Sequence, residues 1–241
     1  NNSTLLRRIT SFIVIVVPLF LLSRVAAAQE VAKTLTASNG ELIGFLQYTP
    51  TDYDANPNTK YPLIIFLHGI GERGNGTTDI WNIAGPAIPG YIRKGHPMRF
   101  YWNGKWETFL VLAPQLNSKY GGWQDFYVDE MLKYAKANLR IDPDRIILTG
   151  LSLGGGGVWH YASSSAAHAQ EFAAIAPVCG TCSIQNPANI VNANLPVWAF
   201  HAQNDGTVGV GCTTGAISSI NNLNPAVVPL MTIYPDGGHG I

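Results

Sequence analysis

One serine in the chain has surroundings suited to nucleophilic chemistry. Gly150-Leu-Ser152-Leu-Gly154 follows an apolar run and precedes a stretch with helical character. A serine on a sharp strand-to-helix turn exposes its hydroxyl group, and small flanking residues allow the turn to be tight. Ser152 is therefore the candidate nucleophile for attack on a carbonyl carbon. The further glycines at 155–157 favour close packing of the helix, although the sequence does not explain why so many are needed.

A serine hydroxyl reacts well only when a histidine removes its proton and a carboxylate orients that histidine. When the serine lies on such a turn, the acid and then the histidine follow it in the chain. His239, in the glycine-flanked segment PDGGHGI, is the predicted base. His201 ends an apolar run and is expected to pack beneath the loop that carries the acid. His160 and His168 lie in and near the end of the helical stretch after the serine, so they are expected to pack or face solvent.

Two aspartates are candidates for the acid. Asp205 follows the run VWAFHA by a few residues, so its loop can approach the histidine from another strand end. Asp236 precedes His239 within PDGG, a sequence typical of a turn. Asp205 is the predicted acid, and Asp236 is the alternative.

Attack on a carbonyl also requires hydrogen-bond donors for the developing oxyanion. The segment FLHGIGERGNG follows an apolar run, and its His-Gly pair would turn the chain so that the Ile70 amide faces Ser152. The Leu153 amide, directly after the serine, is the predicted second donor. His68 is expected to shape this loop rather than to transfer protons.

Contacts with a substrate are predicted at Glu72 and Trp123. Glu72 and Arg73 either form an ion pair within the loop or line the entrance to the site. Trp123 belongs to a set of aromatic residues in or beside predicted loops, which could stack on sugars or on an aromatic acyl group, or could only pack over the core. The other members of this set are Trp81, Tyr101, Trp102, Trp106 and Tyr120.

Alternating strands and helices must position these residues. Continuous apolar runs such as LIIFL (63–67) and RIILTG (145–150) are typical of strands buried on both faces. Apolar residues in 125–139 recur at helical spacing. The alternation predicts an α/β fold with a doubly wound, mostly parallel sheet and helices on both faces. Ligands of such sheets bind beyond the carboxyl ends of the strands.

The charge balance excludes one large class of function. The 241 residues contain 15 Lys+Arg and 15 Asp+Glu, giving a formal net charge of zero. Proteins that bind nucleic acids normally carry a basic excess, so a nucleic-acid partner is not expected. The predicted serine chemistry requires no metal ion and no organic cofactor.

Residues 1–28 resemble a secretory signal peptide. Arg7 and Arg8 supply the positive start, 12–22 the apolar stretch, and 26–28 a small-residue cleavage site. An uncleaved membrane anchor is the alternative. Cleavage would leave a catalytic domain at 29–241, secreted or periplasmic, without stable membrane association.

Three cysteines are compatible with export. Cys179 and Cys182 form a C-x-x-C pair, but there is no second pair for a zinc site and no sign of a redox helix nearby. One structural disulfide is predicted, joining Cys212 to either Cys179 or Cys182 and leaving one thiol.

The blocks YPLIIFLHGIGERGNG, DPDRIILTGLSLGGGG, HAQNDGTV and GGHG, in this order, resemble the α/β-hydrolase superfamily. Together they resemble a branch with dienelactone-hydrolase-like, polyhydroxybutyrate-depolymerase-like and feruloyl-type esterases, and predicted peptidases related to prolyl oligopeptidase. The resemblance covers nearly all of 29–241. Family members usually continue past the histidine into a final helix, so the resemblance implies a domain truncated at its C-terminus.

This resemblance implies the α/β-hydrolase fold and a secreted serine hydrolase that cleaves carboxylic esters through an acyl-enzyme intermediate. Export favours large extracellular esters, such as decorated plant polysaccharides or polyesters, as the substrate. A serine peptidase is the first alternative, although 29–241 leave no room for the capping domain of prolyl-oligopeptidase-type enzymes. A non-catalytic binding module on the same fold is the second alternative.

Overall fold

The computed structural model describes residues 29–85 and 87–241, so the predicted signal peptide lies outside the described residues. Strands and helices alternate along most of this chain. The strands are β1 (Gln29–Thr36), β2 (Leu42–Thr49), β3 (Tyr61–Leu67), β4 (Arg99–Trp102), β5 (Lys105–Thr108), β6 (Leu110–Pro114), β7 (Ile141–Leu151), β8 (Ala174–Val178), β9 (Trp198–Ala202) and β10 (Leu230–Tyr234).

The α-helices lie mainly between strands of the central sheet. They are α1 (Ala87–Arg93), α2 (Asp125–Asn138), α3 (Leu153–Ser164), α4 (Ala166–Gln170), α5 (Pro187–Asn192) and α6 (Gly211–Asn221). Short 3₁₀ turns occur at Ile70–Glu72, Ile80–Ala84 and Gly238–Gly240. Among the described residues, no helix combines the length and apolar character that crossing a membrane requires.

An eight-stranded sheet forms the centre of the protein, in the order β1-β2-β6-β3-β7-β8-β9-β10. The pairs β6/β3, β3/β7, β7/β8, β8/β9 and β9/β10 are parallel, whereas β2 runs antiparallel to both β1 and β6. The predicted doubly wound, mostly parallel α/β fold is therefore confirmed.

The sheet has an apolar cluster on each face, which explains the continuous apolar runs. Along β3, Leu63 and Ile65 belong to the larger cluster, where α2, α3, α5 and α6 pack. The alternate residues Ile64 and Phe66 belong to a smaller cluster that includes Ile92 of α1. Because side chains alternate across a strand, a strand covered on both faces has no polar positions.

A separate hairpin of β4 and β5 was not predicted from the sequence. Its strands are mostly exposed, so they carry no clear pattern of burial. Asn103 and Gly104 form its two-residue turn with φ of 48° and 82°. Asn-Gly is the preferred pair for a two-residue hairpin turn. This pair was the feature of the sequence from which the hairpin could have been predicted.

One disulfide joins Cys182, after β8, to Cys212 at the start of α6. The prediction of a disulfide that includes Cys212 is confirmed, and the structure decides between the two possible partners. Cys179 keeps a free, buried thiol.

The glycine run at the start of α3 allows close contact with several neighbours. A Cβ atom at Gly155 would lie 2.5 Å from the carbonyl oxygen of Val178, and one at Gly157 would lie 2.8 Å from the Trp123 ring. Gly154 is enclosed in the same way by the backbone at the end of β3, and Gly156 by a threonine side chain. The helix therefore approaches the sheet more closely than any side chain would allow.

The substitution Gly155→Ala is expected to lower the free energy of unfolding by about 1–3 kcal/mol, because the added methyl group meets rigid backbone. Gly215→Ala in α6 is the matched control, since a Cβ there meets nothing within 4 Å. It should stabilise the protein by about 0.5–1 kcal/mol through helix propensity. Urea unfolding measures both values, and equal effects at the two positions would contradict the packing argument.

Candidate active site

The candidate nucleophile lies between β7 and α3. Ser152 has φ 56° and ψ −120°, an unfavourable conformation for a residue with a side chain. Its amide donates to the Val178 carbonyl at 2.9 Å, which holds the turn against β8. This strand-to-turn-to-helix geometry is that of a nucleophile elbow.

His239 lies between Ser152 and Asp205. Its Nε2 is 2.8 Å from the hydroxyl oxygen of Ser152, and its Nδ1 is 2.7 Å from Oδ2 of Asp205. Because an ionised carboxylate can only accept, the ring proton belongs on Nδ1 as the donor to Asp205, and Nε2 is left to accept from the serine hydroxyl. The arrangement can move a proton from the serine to the histidine during attack on a carbonyl group.

Two backbone amides fix the carboxylate of Asp205. Thr207 and Val208 donate to Oδ1 at 2.8 and 2.9 Å, leaving Oδ2 for the histidine. Burial by itself would raise the pKa of Asp205, but the hydrogen bonds from His239 and from these amides hold it below its usual value. The carboxyl group is therefore ionised at neutral pH.

His201 lies directly beneath this loop and is fully buried. Its Nδ1 is 2.7 Å from the hydroxyl of Thr213, and its Nε2 is 2.9 Å from the carbonyl oxygen of Val208. The same Nε2 lies 3.2 Å from Oδ2 of Asp205. His201 therefore supports the acid loop and has no direct contact with the serine hydroxyl.

Asp236, the alternative acid, forms no ion pair with His239 among the described residues. Asp236 is exposed in a bend after β10. The histidine segment is instead held by Asn204, whose side-chain oxygen accepts from the Gly238 amide at 2.9 Å. Neither Asn204 nor the amides that bind Asp205 were predicted from the sequence. The Asp-Gly-Thr segment carried a usable signal, because aspartate often accepts hydrogen bonds from amides two and three residues ahead.

The loop after β3 is organised by a buried histidine. His68 Nδ1 lies 2.6 Å from the Gly69 carbonyl oxygen, and its Nε2 accepts from the Leu116 amide at 2.9 Å. Burial lowers the pKa of His68 to about 4, so the ring is neutral. Trp123 donates from Nε1 to the His68 carbonyl at 3.2 Å. Trp123 is only 7% exposed, which leaves little of its surface for a substrate.

The two amides predicted to bind an oxyanion occupy first positions of helical turns. Ile70 begins the 3₁₀ turn after β3, and Leu153 begins α3. Amides at such positions have no partner within the helix. A Cβ atom on Gly69 would lie 3.5 Å from Cβ of Ser152, so the first of these turns approaches the serine directly.

Glu72 and Arg73 do not pair with each other among the described residues. Arg73 donates instead to the carbonyl oxygens of Ile70 and Tyr120, at 3.0 and 2.9 Å. Oε2 of Glu72 is buried and has no hydrogen-bond partner among the described residues. It lies 3.9 Å from Nδ1 of His68.

A cavity of about 530 Å³ opens beside the histidine. The residues that line it include Leu151, Cys179, His239, Tyr91 and Lys94. The β4–β5 hairpin presents exposed aromatic rings. Its Tyr101, Trp102 and Trp106 are exposed by 62, 76 and 56%.

His160 and His168 lie away from Ser152, on the surface between α2 and α3–α4. His160 Nε2 is 3.3 Å from Asp125, and the two ring nitrogens of His168 lie 3.9 Å from Asp125 and 3.7 Å from Asp129. These contacts connect the helices and are separate from the serine and its partners.

A family model described as "Putative esterase" matches residues 36–207, more than half of the chain. The chain belongs to this esterase family. The match includes Ser152 and Asp205 and ends before His239. A thermostable esterase of known structure is 26% identical, with a TM-score of 0.66. The alignment covers 86% of this chain but 55% of that one, so the chain spans little more than half the length of this relative. No curated protein matches.

Other similar structures extend across the same superfamily. A ferulic acid esterase is 17% identical with a TM-score of 0.66, and the alignment covers 88% of this chain and 91% of that one. A structure described as a "Putative Dienelactone Hydrolase" from Klebsiella pneumoniae subsp. pneumoniae is 17% identical, with a TM-score of 0.61 and 88% coverage of both chains. Acylaminoacyl and dipeptidyl peptidases share the fold as well. The predicted resemblance to the α/β-hydrolase superfamily is confirmed, and the esterase family supports a serine hydrolase.

Proposed function

We propose that the protein is a secreted serine esterase that cleaves carboxylic esters through an acyl-enzyme intermediate. One observation carries the proposal. His239 lies within hydrogen-bond distance of both the Ser152 hydroxyl, at 2.8 Å, and the Asp205 carboxylate, at 2.7 Å. A hydroxyl, an imidazole and a buried carboxylate in this order are the groups that activate a serine for acyl transfer.

In the acylation step, the Ser152 oxygen attacks the ester carbonyl carbon while its proton moves to Nε2 of His239. Asp205 stabilises the imidazolium that forms, without taking the proton itself. The Ile70 and Leu153 amides donate to the negatively charged oxygen of the tetrahedral intermediate. The intermediate collapses when His239 returns the proton to the leaving alcohol, and the acyl group stays on the serine.

In the deacylation step, water takes the place of the alcohol. His239 removes a proton from the attacking water, and the same amides hold the second oxyanion. The serine oxygen then leaves with the proton from His239, which releases the carboxylic acid and restores the free enzyme. Every proton transfer uses a group of this chain, so the cycle requires no metal ion or organic cofactor.

The cavity beside His239 is the proposed binding site for one side of the ester. Its walls are mainly apolar, which suits an acyl or alcohol group with hydrocarbon character. Glu72 is proposed as a polar contact at the loop after β3. Trp123 is proposed to affect substrate binding indirectly, because its Nε1 holds the His68 carbonyl group in place. The ring itself is largely covered.

A polymeric extracellular ester is the proposed natural substrate. The exposed aromatic rings of the β4–β5 hairpin offer faces on which sugars or aromatic groups can stack. The Cys182–Cys212 disulfide suits an oxidising compartment. Residues 1–28 are proposed to direct export and to be removed, which would place the enzyme outside the cell or in the periplasm.

The test is a panel of substrates offered to one purified sample of the full chain. We expect hydrolysis of p-nitrophenyl esters, with feruloyl esters or acetylated xylan as the preferred natural type, and slower or no cleavage of peptide anilides. Faster cleavage of the anilides than of the esters would contradict the proposed esterase activity and would indicate a serine peptidase. A folded protein that cleaves no member of the panel and resists labelling by a fluorophosphonate would indicate a non-catalytic binding module.

A further inference from the structure

Cys179 is a buried thiol beside the candidate active site that the proposed reaction does not use. The sequence has three cysteines, and the other two form the disulfide. Cys179 follows β8 and is 1% exposed. Its amide donates to the Phe200 carbonyl at 2.8 Å, and its Sγ lies 4.0 Å from the carbonyl oxygen of His239. The backbone thus holds the thiol beside the histidine turn.

The thiol forms a cluster with two other potential metal ligands. One ligand atom each from Cys179, Asp205 and His239 lies within 4.8 Å of the other two. Thiolate, imidazole and carboxylate are the groups that bind Zn²⁺, with bonds of about 2.0–2.3 Å. A tetrahedral ion with such bonds brings its ligand atoms to roughly 3.5 Å from one another. Only small displacements therefore separate this cluster from a metal-binding geometry.

We propose that Cys179, Asp205 and His239 form an inhibitory binding site for thiophilic divalent cations such as Zn²⁺. The inhibitory part rests on the proposed function of His239, whereas binding of the cation does not.

The surroundings of the cluster allow an ion to enter and the ligands to adjust. Cys179 and His239 both line the cavity of about 530 Å³, through which a hydrated ion can arrive. Water from this cavity can supply the fourth ligand. His239 lies in the short turn Gly238–Gly240, between two glycines, and its side chain is 26% exposed. The imidazole is therefore the ligand that can move most easily.

Proton balance explains why bound metal would inhibit. The Cys179 sulfur binds the ion as a thiolate, and its proton passes to solvent. A metal on Nδ1 of His239 leaves the ring proton on Nε2, which can then no longer accept from Ser152. A metal on Nε2 occupies the same lone pair directly. In either case the serine loses its base.

Co²⁺ is the spectroscopic probe for this site. The two other cysteines are in the disulfide, so a sulfur-to-cobalt charge-transfer band can arise only from Cys179. We expect this band in the full chain and in Ser152→Ala, and we expect it to disappear in Cys179→Ser. If Cys179→Ser does not fold, Cys179→Ala takes its place and the wild-type spectrum still decides. Absence of the band at saturating Co²⁺ in the wild-type protein would overturn the proposal.

Inhibition by Zn²⁺ is the second measurement, with each variant compared with its own rate without metal. Changing a residue that only supports a ligand typically weakens metal binding by about 10–100-fold. Loss of the thiolate itself should raise the Zn²⁺ concentration for half-inhibition by at least ~100-fold. His168→Gln is the control, because His168 and Asp125 offer a surface site for the same ion. Inhibition that persists in Cys179→Ser and disappears in His168→Gln would overturn the proposal.

The outcomes also separate this proposal from the proposed function. Ester cleavage that persists in a folded Ser152→Ala protein would reject the serine mechanism, while the cobalt band would still report the metal site. A normal esterase without the band would reject the metal site alone.

Discussion

Ser152→Ala is expected to lower the turnover of esters by about 10⁴ to 10⁶, because it removes the only atom that forms the covalent bond to the acyl group. The measurement is the hydrolysis of an activated p-nitrophenyl ester, together with labelling by a fluorophosphonate. The alanine variant should neither turn over the ester nor accept the label. Ser152 is 8% exposed. Because the substitution removes a single hydroxyl group, it leaves only a small space in the protein, and the fold should persist.

Ser219→Ala is the matched control for this experiment. Its hydroxyl donates to a carbonyl within its own helix, at 2.7 Å from the Ala216 oxygen, and not to any residue of the candidate site. The control should keep full activity and full labelling. Circular dichroism establishes that both variants are folded. Retention of most activity in the folded Ser152→Ala protein would end the serine-hydrolase interpretation.

Asp205→Asn is expected to lower turnover by about 10⁴ with only a small change in structure. The amide oxygen of the new side chain can still accept from Thr207 and Val208, as Oδ1 of Asp205 does. Its NH₂ group then faces Nδ1 of His239 and donates to it. That hydrogen bond places the ring proton on Nε2, so the histidine can no longer accept from the serine.

Asp236→Asn is the control for the choice between the two aspartates. Asp236 is exposed in a bend, so its substitution should leave turnover near the wild-type value and change the free energy of unfolding by no more than about 1 kcal/mol. Both variants are compared on one activated ester after their folding is verified. A severe loss in Asp236→Asn with nearly normal Asp205→Asn would show that the acid was assigned to the wrong residue.

Ser152, Asp205 and His239 can be selected from the sequence because each of them follows a strand. Parallel strands place their carboxyl ends at the same edge of a sheet, so residues distant in the chain meet there. The structure brings the three side chains together across separations of 87 residues between Ser152 and His239 and 34 between His239 and Asp205. Their catalytic roles remain predictions until the variants are measured.

The sequence by itself determined the fold class, because burial on both faces of the sheet leaves continuous apolar runs that local patterns reveal. It also determined the sharp turn at Ser152, since glycines on both sides of a serine after a strand indicate that turn. These features depend on residues close together in the chain.

Only the tertiary structure decided which cysteine pairs with Cys212, why α3 begins with so many glycines, and that Cys179 lies beside His239. Each depends on the distance between segments that are far apart in the chain. Position 155, for example, must be glycine because a Cβ atom there would collide with the carbonyl oxygen of Val178, which belongs to a strand later in the sequence. Composition and periodicity describe how one segment divides between core and solvent. They do not specify which atoms of two packed segments touch. Such contacts determine which cysteines pair, which positions of α3 must be glycine, and that the Cys179 thiol lies beside His239.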